Sequence, residues 1–243
     1  MRDLTSRWCG VATLFLVACS SSGEPNDTQA VDSGVTADTG LPPLDAGSDL
    51  GPDGEADAGS EVSTDAVTPS GPRVFVTSDE FDGAFADGVR DSTGRAQAFT
   101  VGDGLCQKLA DAAGLGGTWS VWLSSAQGDA IDHVKGAGPW KNLAGKVVFA
   151  NRASLATAAL APIDRDEKGL SVPSGSVVWT GTALGGRRFT DPKSGTTDCF
   201  GWGYRGTDAT MGGVVGSTAV SAEWTRQAMV NCDTKARLYC FEG

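Results

Sequence analysis

The composition of the chain changes sharply at Pro72, and this change confines the folded part of the protein to residues 73–243. Ser20–Pro72 contains eleven acidic residues and no lysine, arginine or aromatic residue. A segment with so much charge and so little apolar bulk cannot offset the entropy that is lost on ordering. We therefore expect this segment to be a disordered linker.

The formal net charge of −11 also belongs to this linker. From Arg73 onward, 17 basic and 18 acidic residues nearly cancel, so the folded part lacks the basic excess that a nucleic-acid-binding surface needs. The same part contains six tryptophans, eight phenylalanines and two tyrosines, which is enough aromatic side chain for one core. We expect one domain over residues 73–243 and no nucleic-acid partner.

The first eighteen residues have the features of an export signal. Arg2 and Arg7 precede the apolar run Cys9–Ala18, which is ten residues long. Ten residues of helix rise about 15 Å, roughly half of a ~30 Å hydrocarbon core, so this run is too short to span a membrane. A basic start, a short apolar stretch and a small residue before the break are typical of a secretory signal peptide.

The end of this signal, Leu16–Cys19, resembles the lipobox of bacterial lipoproteins, in which diacylglycerol is attached to the thiol of the cysteine. The resemblance implies lipidation at Cys19 and a membrane contact made through acyl chains. Ser20 follows where inner-membrane lipoproteins tend to have aspartate, which implies an outer-membrane lipoprotein on the periplasmic side or the cell surface. An ordinary signal peptide cleaved near Ala18 is the alternative. The predicted organisation is a signal peptide (1–18), a lipidated cysteine with an acidic linker (19–72) and a folded domain (73–243).

The folded part has the pattern of an α+β protein with short strands and long glycine-rich connections. Asp103 is a candidate N-cap for a helix that presents Leu105, Cys106 and Leu109 on one face and ends at Gly114. β-Branched and aromatic runs predict the strands. These are Val74–Thr77, Trp119–Ser124, Lys146–Phe149, Ser176–Thr180, Cys199–Trp202 and Arg237–Phe241, and a short helix is predicted at Ser154–Ala159.

Four cysteines remain once Cys9 leaves with the signal and Cys19 takes the lipid. They are Cys106, Cys199, Cys232 and Cys240. An even number in an exported domain predicts two disulfides, and four cysteines allow three pairings. Metal ligation is the alternative, but the closest pair is eight residues apart and the chain has one histidine, whereas metal ligands normally come two to four residues apart.

Several of these segments together resemble a C-type-lectin-like domain. They are an early helix with a cysteine (Leu105–Leu109), the strand Trp119–Leu123, and the closing Leu-Tyr-Cys-Phe-Glu at 238–242. The resemblance implies an early helix with short antiparallel strands, and the disulfides Cys106–Cys240 and Cys199–Cys232. It also implies that the binding loops lie around the inner cysteines.

A closer resemblance covers most of residues 73–243. Val74–Ser78, Cys106–Leu115, Val178–Thr182 and Ala236–Glu242 are similar to a group of uncharacterised lipoproteins from spirochaetes and myxobacteria-like bacteria, whose domain is related to endostatin within the same fold. That group has no well-defined activity, so the resemblance implies a fold rather than a reaction.

The resemblance to C-type lectins raises the question of whether this domain binds calcium. Calcium-binding C-type lectins have Trp-Asn-Asp before the penultimate cysteine, where this chain has Trp224, Thr225 and Arg226. Because calcium needs six to eight oxygen ligands, an arginine there argues against a site at that position. Elsewhere, Asp164, Asp166 and Glu167 form the densest acidic cluster of the domain and are candidate metal ligands, with a solvated turn as the alternative. We expect no dedicated cofactor.

The candidate ligand-binding residues are Trp202, Tyr204, Trp224 and Arg226, which lie near the inner cysteines. Aromatic faces in that region could stack on a sugar or anchor a protein partner. Some of these rings are expected in the core, because tryptophan is usually well buried.

No motif predicts an enzyme. The chain has no Gly-x-Ser-x-Gly elbow, no His-Glu-x-x-His, no phosphate-binding loop and no dinucleotide fingerprint, and His133 beside Asp132 is expected in an exposed loop. We expect a lipid-anchored envelope module that recognises glycan or extracellular protein. The alternatives are a structural envelope lipoprotein without a ligand and a carboxylate-dependent hydrolase.

Overall fold

The computed structural model describes residues 70–219 and 222–243, so the signal peptide, the lipidation site Cys19 and residues 20–69 lie outside the described part. The described residues form a mixed α+β structure with two sheets and two disulfides, as the sequence predicts. The strands are β1 (Arg73–Val76), β2 (Trp119–Val121), β3 (Trp140–Asn142), β4 (Val147–Phe149), β5 (Val177–Trp179), β6 (Gly212–Ser217), β7 (Ala228–Asn231) and β8 (Tyr239–Glu242). The helices are α1 (Ala98–Ala112) and α2 (Ala130–His133), with 3-10 turns at Arg152–Ala156 and Ala222–Trp224 and a one-turn helix at Cys199–Trp202. Within residues 70–219 and 222–243, no helix combines the length and apolar character needed to cross a bilayer.

The larger sheet has five strands in the order β2–β8–β1–β3–β4. β1 lies in the middle, antiparallel to β8 and parallel to β3, and all four of its residues are buried. Phe75 belongs to one hydrophobic cluster, whereas Val74 and Val76 belong to a second. A strand covered on both faces must be largely apolar, which is why the predicted strand Val74–Thr77 overlaps β1.

The smaller sheet has three antiparallel strands in the order β5–β6–β7. β6 is buried along its whole length although three of its six residues are glycine. A Cβ at Gly216 would lie 1.9 Å from the main-chain carbonyl oxygen of Trp224, and one at Gly213 would lie 2.8 Å from Sγ of Cys199. Glycine is required where other parts of the chain approach this closely. Because half of β6 is glycine, the segment has few of the β-branched and aromatic residues that usually indicate a strand. β6 was therefore not predicted.

Helix α1 begins at Ala98, well before the predicted N-cap Asp103. Asp103 lies inside the helix, where its Oδ1 accepts a hydrogen bond of 2.8 Å from the main-chain N–H of Val121 in β2. Gly102 allows this close packing, because a Cβ there would lie 2.6 Å from Cγ1 of Val121. The helix ends before Gly114, whose φ of 68° is left-handed, so the predicted C-terminal stop is confirmed.

The two disulfides join distant parts of the chain. Cys106 of α1 is bonded to Cys240 of β8, and Cys199 is bonded to Cys232. These are the pairs that the resemblance to C-type-lectin-like domains implies. All four residues are fully buried, and disulfides of this kind fit an oxidising, extracytoplasmic compartment.

Every tryptophan of the described residues is buried, with at most 2 % of its surface exposed. Three of the rings lie in each of the two hydrophobic clusters. Each indole N–H donates a hydrogen bond to a main-chain carbonyl or, in one case, a threonine hydroxyl, which is how a buried indole avoids an unsatisfied donor. The pairs are Trp119–Gly116, Trp122–Thr225, Trp140–Glu242, Trp179–Phe81, Trp202–Ser124 and Trp224–Thr157.

An ion pair between Arg73 and Glu242 joins the start of β1 to the end of β8, and we call this contact the Arg73 clasp. The guanidinium of Arg73 donates from Nε and Nη2 to the two carboxylate oxygens of Glu242, over 2.7 and 2.6 Å. The main-chain N–H of Arg73 donates to the same carboxylate over 2.9 Å. The pair is largely buried, and a two-pronged contact of this kind fixes geometry as well as charge.

Candidate ligand-binding cleft

A cleft of about 390 Å³ adjoins the helical turn that begins at Cys199. Its three walls are residues 90–96, residues 125–127, and a third wall made of Arg188 with residues 196–201. A cleft of this volume falls in the range of small-ligand sites, about 300–1,000 Å³. We take it as the candidate functional site because three arginines and the exposed ring of Phe200 line it.

The first wall is a tight turn organised by Asp91. Its Oδ1 accepts hydrogen bonds from the main-chain N–H groups of Thr93 and Arg95, over 2.8 and 3.0 Å, and from the Thr93 hydroxyl over 2.6 Å. The hydroxyl of Thr93 and the N–H of Arg95 hold the pKa of Asp91 below its usual value. Because Asp91 fixes the backbone of the turn, the side chains of Arg90 and Arg95 reach the cleft from a defined loop.

The second wall is a four-residue turn in which the main-chain groups of Ser125 and Gly128 bond to each other over 3.0 and 3.2 Å. It is joined to the third wall through Trp202, whose indole N–H donates to the carbonyl oxygen of Ser124 over 3.0 Å. A buried ring thus sets the spacing of two walls of the cleft.

The third wall is a left-handed helical turn, where the sequence predicts a strand. Cys199, Phe200 and Trp202 have φ of 46°, 56° and 65°, and Gly201 between them has φ of 70°. A left-handed conformation costs a non-glycine residue about 1–2 kcal/mol. Propensity for a strand is overridden here because Cys199 is held by its disulfide and Trp202 by the core.

Side-chain hydrogen bonds also hold the left-handed turn. The carboxylate of Asp198 accepts from the N–H of Gly201 over 3.1 Å, and the hydroxyl of Thr196 accepts from the N–H of Phe200 over 3.2 Å. The result is that Phe200 is 63 % exposed at the cleft while its neighbours Cys199 and Trp202 are fully buried. Non-glycine residues held in such conformations cluster at functional sites.

An ion pair lies within the third wall. Nη2 of Arg188 is 2.9 Å from Oδ2 of Asp198, whose side chain is only 2 % exposed, whereas that of Arg188 is 33 % exposed. Nε of Arg188 is buried and has no hydrogen-bond partner among the described residues. The carboxylate of Asp198 is therefore neutralised within the wall by Arg188.

The charged residues that line the cleft are Arg90, Arg95, Arg188 and Asp198, which leaves an excess of positive charge. Arg90 also pairs with Asp87 over 2.6 Å, on an exposed stretch of the first wall. Arg95 is exposed and forms no ion pair with the carboxylates of residues 70–219 and 222–243. The cleft thus presents guanidinium groups at a surface of a domain that is nearly neutral in total.

The four predicted ligand-binding residues are not brought together. Trp202 and Trp224 are buried in different hydrophobic clusters, which corrects the expectation that their faces meet a ligand. Tyr204 is half-buried against the cluster that contains Trp202. Arg226 is exposed, but its guanidinium lies over the ring of Phe189 at 4.3 Å, outside the cleft.

Two of the predicted metal ligands, Asp166 and Glu167, instead accept hydrogen bonds from main-chain N–H groups. Oδ1 of Asp166 accepts from the main-chain N–H groups of Lys168 and Leu170 over 3.0 and 2.8 Å. The carboxylate of Glu167 accepts from the main-chain N–H of Ser78 over 2.9 Å. These oxygens therefore satisfy backbone donors of the surrounding loops.

The third metal candidate, Asp164, lies beside Arg165, with 3.7 Å between its Oδ1 and the guanidinium Nε. Across residues 70–219 and 222–243, no three side chains of His, Cys, Asp or Glu are grouped so that they could hold a metal ion. The expectation of metal ligands at Asp164, Asp166 and Glu167 is corrected accordingly.

The single histidine is also placed differently from its prediction. His133 ends the short helix α2 rather than lying in an exposed loop, and its side chain is 17 % exposed. Its ring stacks on Phe99 at 4.0 Å, and its Nε2 lies 2.9 Å from Oδ1 of Asp103. These contacts tie α2 to α1, so His133 has a packing role.

Sequence reasoning missed Phe200, Arg90, Arg95 and Arg188 as site residues. They come from loops far apart in the chain, and only the glycine that follows Phe200 hints at a left-handed turn. No protein-family model and no curated protein matches this sequence. The assignment of a function rests on the cleft itself.

Proposed function

We propose that this protein is a lipid-anchored binding module of the bacterial outer membrane, with a C-type-lectin-like domain that recognises glycan or extracellular protein in the cleft. The observation that carries the proposal is Phe200, a large apolar ring that is 63 % exposed and held in a left-handed conformation at the cleft. The buried ends of the turn, Cys199 and Trp202, account for its left-handed backbone but do not require an aromatic side chain at position 200, so we assign the exposed ring to a ligand.

The disulfide pairing supports the fold part of the proposal. The outer bridge joins α1 to the last strand and the inner bridge joins Cys199 to Cys232, which is the arrangement that C-type-lectin-like domains use. In that fold the binding loops lie around the inner bridge. The cleft adjoins Cys199, so it occupies the region where a ligand is expected.

The lining of the cleft supports binding rather than hydrolysis. Glycoside hydrolysis by the usual route needs two carboxyl groups about 5–10 Å apart. Among the described residues that line the cleft, Asp198 is the one carboxylate, and it is paired with Arg188. Such a site can hold a ligand but lacks the second carboxyl group of a hydrolase.

The ligand can be sought with the full chain in detergent on a glycan array. We expect bound glycans to be lost with Phe200→Ala and retained with Leu184→Ala, an exposed apolar residue that does not line the cleft. Glycans retained by Phe200→Ala would contradict the assignment to the cleft. An array that retains nothing, together with no binding of purified extracellular proteins, would favour the structural envelope lipoprotein.

The anchor is tested separately. Wild-type protein grown with labelled palmitate should carry the label and sediment with outer membranes, whereas Cys19→Ser should carry none. Label in the Cys19→Ser variant would contradict lipidation at this thiol, and an unlabelled wild type would favour an ordinary signal peptide.

A further inference from the structure

We propose that the ligand of the cleft is an acidic saccharide, bound with a sugar carboxylate at Arg95 and with a sugar face on Phe200. This inference rests on the proposed function and specifies its ligand class.

The charge of the cleft favours an anion. Three arginines line two walls of the cleft, and the one lining carboxylate among the described residues is already held by Arg188. Arg95 is exposed and forms no ion pair in the described part of the chain, whereas the guanidinium of Arg90 donates to Asp87 and to the carbonyl oxygen of Gly94. A guanidinium presents its donors in a rigid fork that matches a carboxylate, so a ligand carboxylate would use donors that the protein leaves free.

The rest of the lining favours a molecule with hydroxyl groups. Thr93, Gln127 and Thr196 contribute hydroxyl and amide groups from all three walls. Each of these side chains can both donate and accept, which suits the hydroxyls of a sugar. Phe200 adds one aromatic face at the edge of these polar groups, and an aromatic ring beside polar donors can cover the C–H face of a pyranose ring.

The walls do not suit an extended acidic peptide. Peptides that bind as strands need a free sheet edge for their main-chain hydrogen bonds. The cleft is lined by two tight turns and a left-handed helical turn, and the main-chain groups described above are bonded within those turns. Recognition here therefore depends on side chains, which suits a saccharide better than an extended peptide.

The experiment compares three probes by titration calorimetry with the full chain in detergent. The probes are an α-1,4-linked trimer of galacturonate, the neutral galactose trimer of the same linkage, and triglutamate, which carries comparable charge on a peptide backbone. We expect the galacturonate trimer to bind at least about tenfold more tightly than either comparator, because a charge-assisted hydrogen bond contributes about 1.5–3 kcal/mol. Its affinity should fall as salt is raised, since Arg95 is exposed and its charge is screened.

Variants locate the binding. Arg95→Gln and Phe200→Ala should each weaken galacturonate binding about tenfold, and Arg95→Gln should also remove the preference over the neutral trimer. Arg226→Gln is the matched control, because Arg226 is an exposed arginine outside the cleft. Arg188 is left unchanged, since its loss would strand the buried carboxylate of Asp198 and could prevent folding.

The outcomes separate this inference from the proposed function. Equal binding of the acidic and neutral trimers, both lost with Phe200→Ala, overturns the acidic specificity and leaves a binding cleft. Triglutamate binding as tightly as galacturonate overturns the saccharide class. Galacturonate binding that is unchanged in Arg95→Gln and Phe200→Ala overturns both the inference and the cleft, and no binding of the galacturonate trimer overturns the inference alone.

Discussion

Two glycines of α1 offer a matched test of how the helix is fitted to the sheet. Gly102 is buried and Gly104 is exposed, two residues further along the same helix. A Cβ at Gly102 would lie 2.6 Å from Cγ1 and 3.0 Å from Cβ of Val121, whereas a Cβ at Gly104 has no atom within 4 Å. The substitutions Gly102→Ala and Gly104→Ala therefore share their helix propensity and differ in packing.

The expected difference can be worked out from these contacts. Alanine stabilises the interior of a helix by about 1 kcal/mol relative to glycine, and both variants gain this amount. At Gly102 the added methyl group overpacks the core, which typically costs about 1–3 kcal/mol. Val121 cannot retreat easily, because its N–H is bonded to Asp103 and its strand is paired at Cys240, which is itself bridged to α1. We expect Gly104→Ala to stabilise the fold, and Gly102→Ala to be about 1–3 kcal/mol less stable than Gly104→Ala.

The measurement is urea unfolding of the oxidised chain, followed by tryptophan fluorescence, with thermal unfolding as a second readout. For a domain of this size, the expected difference corresponds to a Tm difference of about 2–12 °C. Equal stabilisation by both alanines would refute the reasoning, because it would mean that α1 and β2 can separate at no cost.

Three further perturbations follow from features described above. Glu242→Gln keeps the shape of the Arg73 clasp but removes its charge, and we expect a loss of about 1–3 kcal/mol in urea unfolding; an unchanged midpoint would contradict this. The pKa of Asp129 is lowered by hydrogen bonds from Arg187 and the main-chain N–H that follows it, so its contribution is present at neutral pH and is lost as the pH falls below about 4. Asp129→Asn should accordingly be less stable than wild type at pH 7, and the difference should shrink as the pH falls through the acidic range in parallel urea titrations; a gap independent of pH would exclude this ionisation. Phe200→Gly should raise stability by about 1 kcal/mol, because it relieves a left-handed non-glycine residue, while weakening glycan binding; lower stability would show that the ring packs on the fold.

The parts of the fold that could be predicted are those in which local pattern and tertiary role agree. β1 is apolar because it is buried on both faces, and four cysteines in an exported domain predict two bridges. The predictions that failed concern segments in which glycine is needed because two parts of the chain lie very close together. Gly102 breaks the helical pattern, so the helix was expected to start after it, although it is the residue that lets α1 reach β2.

The candidate site could not be predicted for a related reason. Cys199–Trp202 has the composition of a strand, but its two buried ends force the residues between them into a left-handed turn. Trp202 and Trp224 were expected near the ligand on the ground of their type, yet each satisfies its indole N–H inside the core. Burial and long-range pairing decide these positions, and neither can be read from neighbours in the chain.

The central position of β1 has a mechanical consequence. The chain that precedes Arg73 leads directly into the middle strand of the five-stranded sheet, which is paired on one side to β8 and on the other to β3. With the proposed lipid anchor, a ligand pulled away from the cell sends tension into this strand. The hydrogen bonds of the sheet lie across β1, so the component of the pull along the strand loads them in shear. Tension on β1 therefore unfolds the domain only when the pairing with β8, the pairing with β3 and the Arg73 clasp break together.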